Sequence, residues 1–183
     1  MLWSLDNWLY VTNKAFRYRF TNGIFIRDTL PEPAIGQWGL TQDETGRLFF
    51  SRAGAETPAL GFQQHPVYGR LELKGHWDES FMEPCPIVGT PDAQGGPHRI
   101  REDNKTLNRF TGVAGQEIFL GDKMPGAYGD LFIPEPVGRI VRRAKVKHLD
   151  GKILLENPYH QAEFLASTDR LFMLLQGQMA ACI

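Results

Sequence analysis

Gly129-Asp130-Leu131-Phe132-Ile133-Pro134-Glu135-Pro136-Val137-Gly138-Arg139-Ile140-Val141-Arg142-Arg143-Ala144-Lys145-Val146 is the stretch that decides the fold. A short apolar run stops at a Pro-Val-Gly turn and restarts as a longer run of mixed polar and apolar residues. Two such runs around a Pro/Gly turn read as an antiparallel hairpin. Side chains alternate across a strand, so Arg139, Val141, Arg143, Lys145 and Lys147 share one face, and Ile140, Arg142, Ala144 and Val146 the other. That is mainly the polar-out, apolar-in pattern of a half-solvated strand.

The same texture runs through the chain. Nineteen Gly and 12 Pro punctuate it every few residues and leave little room for long helices. Between them lie Trp8 to Val11, Phe16 to Phe20, Ile24 to Ile26, Arg47 to Phe50, Ile118 to Leu120, Leu131 to Ile133, Arg139 to Val146 and Lys152 to Leu155, each rich in β-branched or aromatic residues. Turn signals separate several of them: Thr21-Asn22-Gly23, Asp43 to Gly46, Gly126 to Asp130 and Asp150-Gly151. Helix is expected only over Gln161 to Ala166 and in the last dozen residues. The expected fold class is all-β, built from antiparallel sheets.

A repeat sharpens this expectation. Leu9-Tyr10-Val11-Thr12-Asn13 lies over Leu131-Phe132-Ile133-Pro134-Glu135, and the alignment carries Arg17 onto Arg139. A third copy of the apolar core is Leu48-Phe49-Phe50-Ser51-Arg52. The copies are spaced by about one and two periods near 40 residues, and four-stranded propeller blades repeat at roughly 40–45. Residues 53–98, rich in Gly, Pro, Gln and His, read as a loop-rich insertion. Six blades would need roughly 240 residues, more than the 183 present. The expectation is therefore an incomplete β-propeller of four-stranded antiparallel blades over 1–172, followed by an aberrant tail at 173–183.

Composition removes several function classes. Twenty Lys plus Arg stand against 21 Asp plus Glu, so a formal charge of −1 gives no electrostatic pull toward nucleic acid. No apolar stretch is long enough for a membrane span. Met1 to Asp6 lack the basic start and apolar run of a secretion signal. Cys85 and Cys182 make no CxxC and no haem-attachment motif, and the five His show no metal-ligand spacing.

Several segments in order carry a resemblance. They are Asn7-Trp8-Leu9-Tyr10 with Arg17 to Phe20, Gly36 to Asp43 with Gly46 to Phe50, and Thr90-Pro91-Asp92 with Gly95-Gly96-Pro97. Leu107 to Gly112, Gly129 to Gly138 with Val141-Arg142-Arg143, and Ala162 to Asp169 complete the set. Together they resemble the glucose/sorbosone dehydrogenase-like β-propellers of bacteria, and most closely the membrane-bound dehydrogenase propeller of large haem-containing proteins. The resemblance implies a fragment of a quinone-dependent sugar or alcohol dehydrogenase, inactive alone because it lacks the blades to close a channel. It also implies pyrroloquinoline quinone (PQQ) and calcium in the complete domain, a sugar or alcohol substrate, a haem domain of the parent as electron partner, and a periplasmic or exported parent. The alternative is a non-catalytic propeller module binding carbohydrate or protein. After Phe172 the family pattern would continue through a Thr-Gly-Pro-Asp-Gly hairpin, whereas the chain reads Met173 to Ile183; a permitted codon set yields the missing hairpin two bases later, so a frameshift is expected.

The candidate chemistry is sparse. Sugar oxidation needs a base for the hydroxyl proton and positive charge near the quinone oxygen. His98 and Arg99, after the Gly95-Gly96-Pro97 turn, are the candidates for base and anion clamp, with solvated loop residues as the plainer reading. Glu135 and Arg139 flank the Pro136-Val137-Gly138 turn and could bind cofactor or cation at a blade rim, or pair with each other to hold the turn. Asp169, in Ser167-Thr168-Asp169, is either a cap residue or part of a channel-facing cofactor loop.

Overall fold

The computed structural model of the protein describes residues 1–12, 14–30, 39–51, 59–62, 93, 96–103, 106–113, 115–149, 152–160 and 162–167. The protein is all-β. Its strands are β1 (Leu2–Trp3), β2 (Leu9–Tyr10), β3 (Phe16–Thr21), β4 (Ile24–Thr29), β5 (Leu40–Gln42), β6 (Leu48–Ser51) and β7 (Ala59–Phe62), then β8 (Glu117–Ile118), β9 (Leu131–Glu135), β10 (Ile140–Leu149), β11 (Lys152–Glu156) and β12 (Leu165–Ala166). Among the described residues, one 3₁₀ turn, Pro97–Arg99, interrupts them. All strand pairs are antiparallel.

Three sheets follow chain order. The first is β1-β2-β3-β4, the second β5-β6-β7, and the third β11-β10-β9-β8 with β12 added against β10. The three copies of the apolar repeat are β2, β6 and β9, and each is the second strand of its sheet. The repeat is therefore structural at the level of strands. It fails at the level of single residues: Arg17 lies within β3 opposite Tyr10, whereas Arg139 lies in the β9–β10 turn at φ 56°. The β9–β10 hairpin closes on four residues between Glu135 and Ile140, which is tighter than the β2–β3 connection.

Local chemistry sets the turns. Asn22 and Gly23 join β3 to β4 at φ 51° and 77°, the left-handed pair that a two-residue hairpin requires. In the β5–β6 turn the Asp43 carboxylate accepts from the amides of Thr45 and Arg47, each at 2.9 Å, and from the Thr45 hydroxyl at 2.6 Å. The helix expected over Gln161 to Ala166 does not form in its described part. Leu165 and Ala166 pair with Val141 and Ile140 instead, because β10 offers unpaired backbone groups that a one-turn helix cannot outcompete. β7 lies inside the stretch read as a loop-rich insertion; the rest of that stretch up to Pro97, Ala93 and Gly96 excepted, and the tail beyond Ser167, lie outside the described residues.

The sheets stack face to face. Tyr10 from the first sheet and Leu48 and Phe50 from the second form one buried cluster with Leu30, joined by Leu2 and Leu40. Phe49, on the opposite face of β6, packs with Leu131, Ile133, Ile118, Ile140 and Ala144 of the third sheet. Polar links run the same way: Thr41 Oγ1 accepts from the Ile118 amide at 3.2 Å, and Gln116 donates to the Phe49 carbonyl at 3.2 Å. The far side of the third sheet buries Phe119, Phe132, Val141 and Ala127. Each fully buried large side chain contributes about 1.5–3 kcal/mol, so these layers are the main source of stability.

Burial on both faces corrects the half-solvated picture of β10. Its first half is enclosed: Val141 is buried and Arg143 is bonded on the face expected to meet water. The second half behaves as expected at Lys145 and Lys147, which are exposed, and at Val146, which packs against the core.

Candidate functional site

The β9–β10 turn is where most of the sequence candidates meet. β9 runs its last residues past the end of β8, which pairs only with Leu131 and Phe132. That open edge accommodates Pro134, which has no amide to donate. The space beyond β8 is filled by the segment Leu107 to Val113, whose Leu107, Phe110 and Val113 are fully buried.

Glu135 fastens that segment to the turn. Its carboxylate is 0% exposed. Oε1 accepts from the amides of Gly112 at 3.2 Å and Val137 at 3.0 Å, and Oε2 accepts from Gly112 at 3.0 Å. Burial pushes its pKa up, while backbone N–H groups of Gly112, Val137, Gly138 and Thr111 pull it back without cancelling the rise. The two glycines permit a close approach. A Cβ on Gly112 would stand 3.1 Å from the Val137 side chain, and one on Gly138 would stand 3.1 Å from that of Leu107. Glu135 therefore does not pair with Arg139 to hold the turn; backbone amides take that role. Arg139 is half-buried, and its carbonyl accepts from the Ser167 amide at 2.9 Å.

His98 and Arg99 approach from the other side. Gly96 at φ 93° and Pro97 at the first turn position shape the 3₁₀ turn that carries them. Arg99 is half-buried, and its Nη1 donates to Thr111 Oγ1 at 3.2 Å; its Nε is enclosed with no partner. The segment Thr111-Gly112 thus touches Arg99 on one side and Glu135 on the other. His98 is exposed, and its ring has no hydrogen-bond partner among the described residues, although its carbonyl accepts from Asn108 Nδ2 at 2.8 Å. Arg101 braces the same loop by donating to Thr106 Oγ1 at 3.0 Å and to the carbonyl of Leu107 at 2.8 Å. Asp169 lies outside the described residues.

Two ion-pair clusters beside this rim went unread in the sequence. Arg142, on the apolar face of β10, donates from Nε at 3.0 Å and Nη2 at 2.5 Å to the two oxygens of Glu163. Both side chains are almost fully buried, and the guanidinium lies 5.5 Å from the Phe110 ring centre. The available signal was an Arg at an apolar strand position, which has to find a carboxylate if the strand is buried. Arg143, on the other face, donates to Asp130 at 2.6 Å, to Tyr159 at 3.2 Å and to the Gly126 carbonyl. Burial alone would lower the Arg143 pKa, but Tyr159 and Asp130 raise it overall; burial raises that of Asp130 against the pull of Arg143.

These groups do not fit calcium. Among the described residues no three His, Cys, Asp or Glu side chains come together as a metal-binding group. Glu135 is ringed by N–H donors, the wrong polarity for a cation, and calcium needs six to eight oxygens. Of the cations near the rim, Arg142 and Arg143 are held by carboxylates, whereas Arg99 is bonded to the Thr111 hydroxyl. What the arrangement achieves is a rigid rim, with the turn, the 107–113 segment and the 97–101 loop cross-braced through buried polar bonds.

Fold and site together define an all-β protein of antiparallel sheets stacked in chain order, with one braced loop rim at the β9–β10 end of the third sheet. The chain belongs to the family described as Domain of unknown function (DUF7133), which matches residues 1–176. Comparisons with curated proteins and with solved structures give no match. No helix among the described residues is long and apolar enough to cross a membrane.

Proposed function

We propose that the chain is a propeller-type segment acting as a non-catalytic binding module, with the rim around His98, Arg99, Asn108 and Arg109, the last an exposed residue of the 107–113 segment, as its recognition surface and carbohydrate as the favoured ligand. The observation that carries this reading is the use of Glu135: a fully buried carboxylate with its oxygens on backbone amides is positioned to hold loops and has no line to a substrate proton. The solvent side of the rim is polar, and a braced polar edge binds hydroxyl-rich ligands at low ordering cost. The glucose/sorbosone dehydrogenase-like resemblance supports a sugar or alcohol as the ligand class.

A second proposal is favoured by one feature, the exposed His98 next in sequence to Arg99. Under it the segment belongs to a quinone-dependent dehydrogenase whose remaining blades and haem partner lie elsewhere. One experiment separates the two. The protein is screened against a glycan array and, in parallel, for dye reduction with sugars and alcohols in the presence of PQQ and calcium. The binding reading expects glycan retention that weakens in Arg109→Ala, with no dye reduction. Dye reduction abolished by His98→Ala would replace it with the dehydrogenase reading.

A further inference from the structure

The outer face of the first sheet carries an aromatic surface that the stack does not use. Strand register places Trp3, Leu9 and Tyr18 in one row across β1, β2 and β3, since Trp3 pairs with Leu9 and Leu9 with Tyr18. Phe20 pairs with Phe25 on the same face, and Phe16 lies two residues from Tyr18 along β3. This is the face opposite Tyr10 and Leu2, which pack on the second sheet. Trp3 is 53% exposed, Phe20 59% and Phe25 63%. The rings are ordered against each other: Tyr18 and Phe25 stack at 5.4 Å, and Trp3 Nε1 donates to Asn7 at 3.2 Å. The one charge in the row, Arg27, lies 4.9 Å from the centre of the Phe16 ring.

We propose that this face is a self-association surface, closed by the same face of a second copy of the chain. The argument is one of area and chemistry. The six side chains leave an apolar patch of about 500 Å² open, taking roughly 200 Å² for a fully exposed aromatic residue. A stable homodimer buries about 800 Å² per partner, of which about 65% is apolar, so the patch supplies nearly all the apolar core that such an interface needs. A lone soluble chain does not ordinarily leave a patch of this size open without a use for it. The face carries no net acidic charge that would oppose its own copy, and a two-fold axis brings like onto like without a second complementary surface. Two apolar layers within the chain are already closed by antiparallel sheets, one between the first and second sheets and one between the second and third.

Sedimentation velocity on the full chain over a concentration series tests this. The wild type is expected at twice the monomer mass at micromolar concentration, and Phe25→Lys and Phe20→Lys are each expected to weaken the dimer by at least about tenfold. Both positions are more than half exposed, so near-ultraviolet circular dichroism should match wild type and separate lost association from lost folding. Tyr128→Ser, 57% exposed in the connection between β8 and β9, serves as the comparison and should leave the dimer intact. A wild-type chain that stays monomeric up to about 200 µM overturns the proposal, since specific dimers of this area are tighter than that. So does a dimer indifferent to both Phe variants, or co-sedimentation of the monomer with neutral phosphatidylcholine vesicles that the two Phe variants abolish.

Discussion

Glu135→Ala should destabilise the protein by about 3–5 kcal/mol. The magnitude follows from what the carboxylate holds. Removing it leaves at least the Gly112 and Val137 amides inside with no acceptor, at about 1–3 kcal/mol each, and opens a void beside Gly138 and Leu107 that the surrounding loops fill only in part. For a chain of this length the loss corresponds to a drop in Tm of roughly 10 °C. Glu135→Gln retains one acceptor oxygen in the same place and should cost about 1 kcal/mol. The two variants also differ in their response to pH. Burial holds the folded-state pKa of Glu135 above its unfolded value, so between those values the folded state binds the extra proton and wild-type stability falls as pH rises through the window. The Gln variant, fixed in a neutral form, should lose that part of the slope. Urea unfolding followed by Trp fluorescence across pH 4–8 reads both effects. A Glu135→Ala loss below about 1 kcal/mol, or equal losses for Ala and Gln, would refute the claim that the carboxylate works as an acceptor for backbone amides.

Three further outcomes follow from the same geometry. Arg142→Met should cost about 3–5 kcal/mol by stranding Glu163 in the core, and Arg142→Met with Glu163→Met should recover much of that loss; a thermal double-mutant cycle measures the coupling. Phe49→Ala should cost about 3–5 kcal/mol, since its ring is fully buried between the second and third sheets, and denaturant titration reads it directly. Asp43→Ala should cost about 1–2 kcal/mol through the lost β5–β6 turn bonds, while Asp43→Asn should cost less than half as much; differential scanning calorimetry resolves the pair.

The fold was legible where local chemistry decides it. Seven of the eight β-rich runs contain a strand of two or more of their residues and Ile118 to Leu120 contributes only Ile118; turn residues such as Asn22-Gly23 and Asp43 to Gly46 fix hairpins without tertiary help. The strands that escaped notice, β1, β5, β7 and β12, are two to four residues long and are held by backbone pairing to a neighbouring strand. Leu165-Ala166 shows the limit: its residues suit a helix, and the open edge of β10 makes it a strand. The site was half legible. Position singled out Glu135 and Arg139 at one turn and Arg99 at another, but the partners of Glu135 and Arg99 are backbone amides and a threonine hydroxyl that no residue pattern announces. Arg142 was placed correctly on the apolar face of β10; its partner Glu163, 21 residues away, depends on where β12 docks.

Native-state amide hydrogen exchange, residue by residue, tests the central claim most directly. The account places the slowest amides in β9 and the first half of β10, and it requires the loop amides of Gly112 and Val137 to be protected with them and to lose that protection together in Glu135→Ala. Exchange of Gly112 and Val137 at the rate of an unstructured loop in the wild type would contradict it.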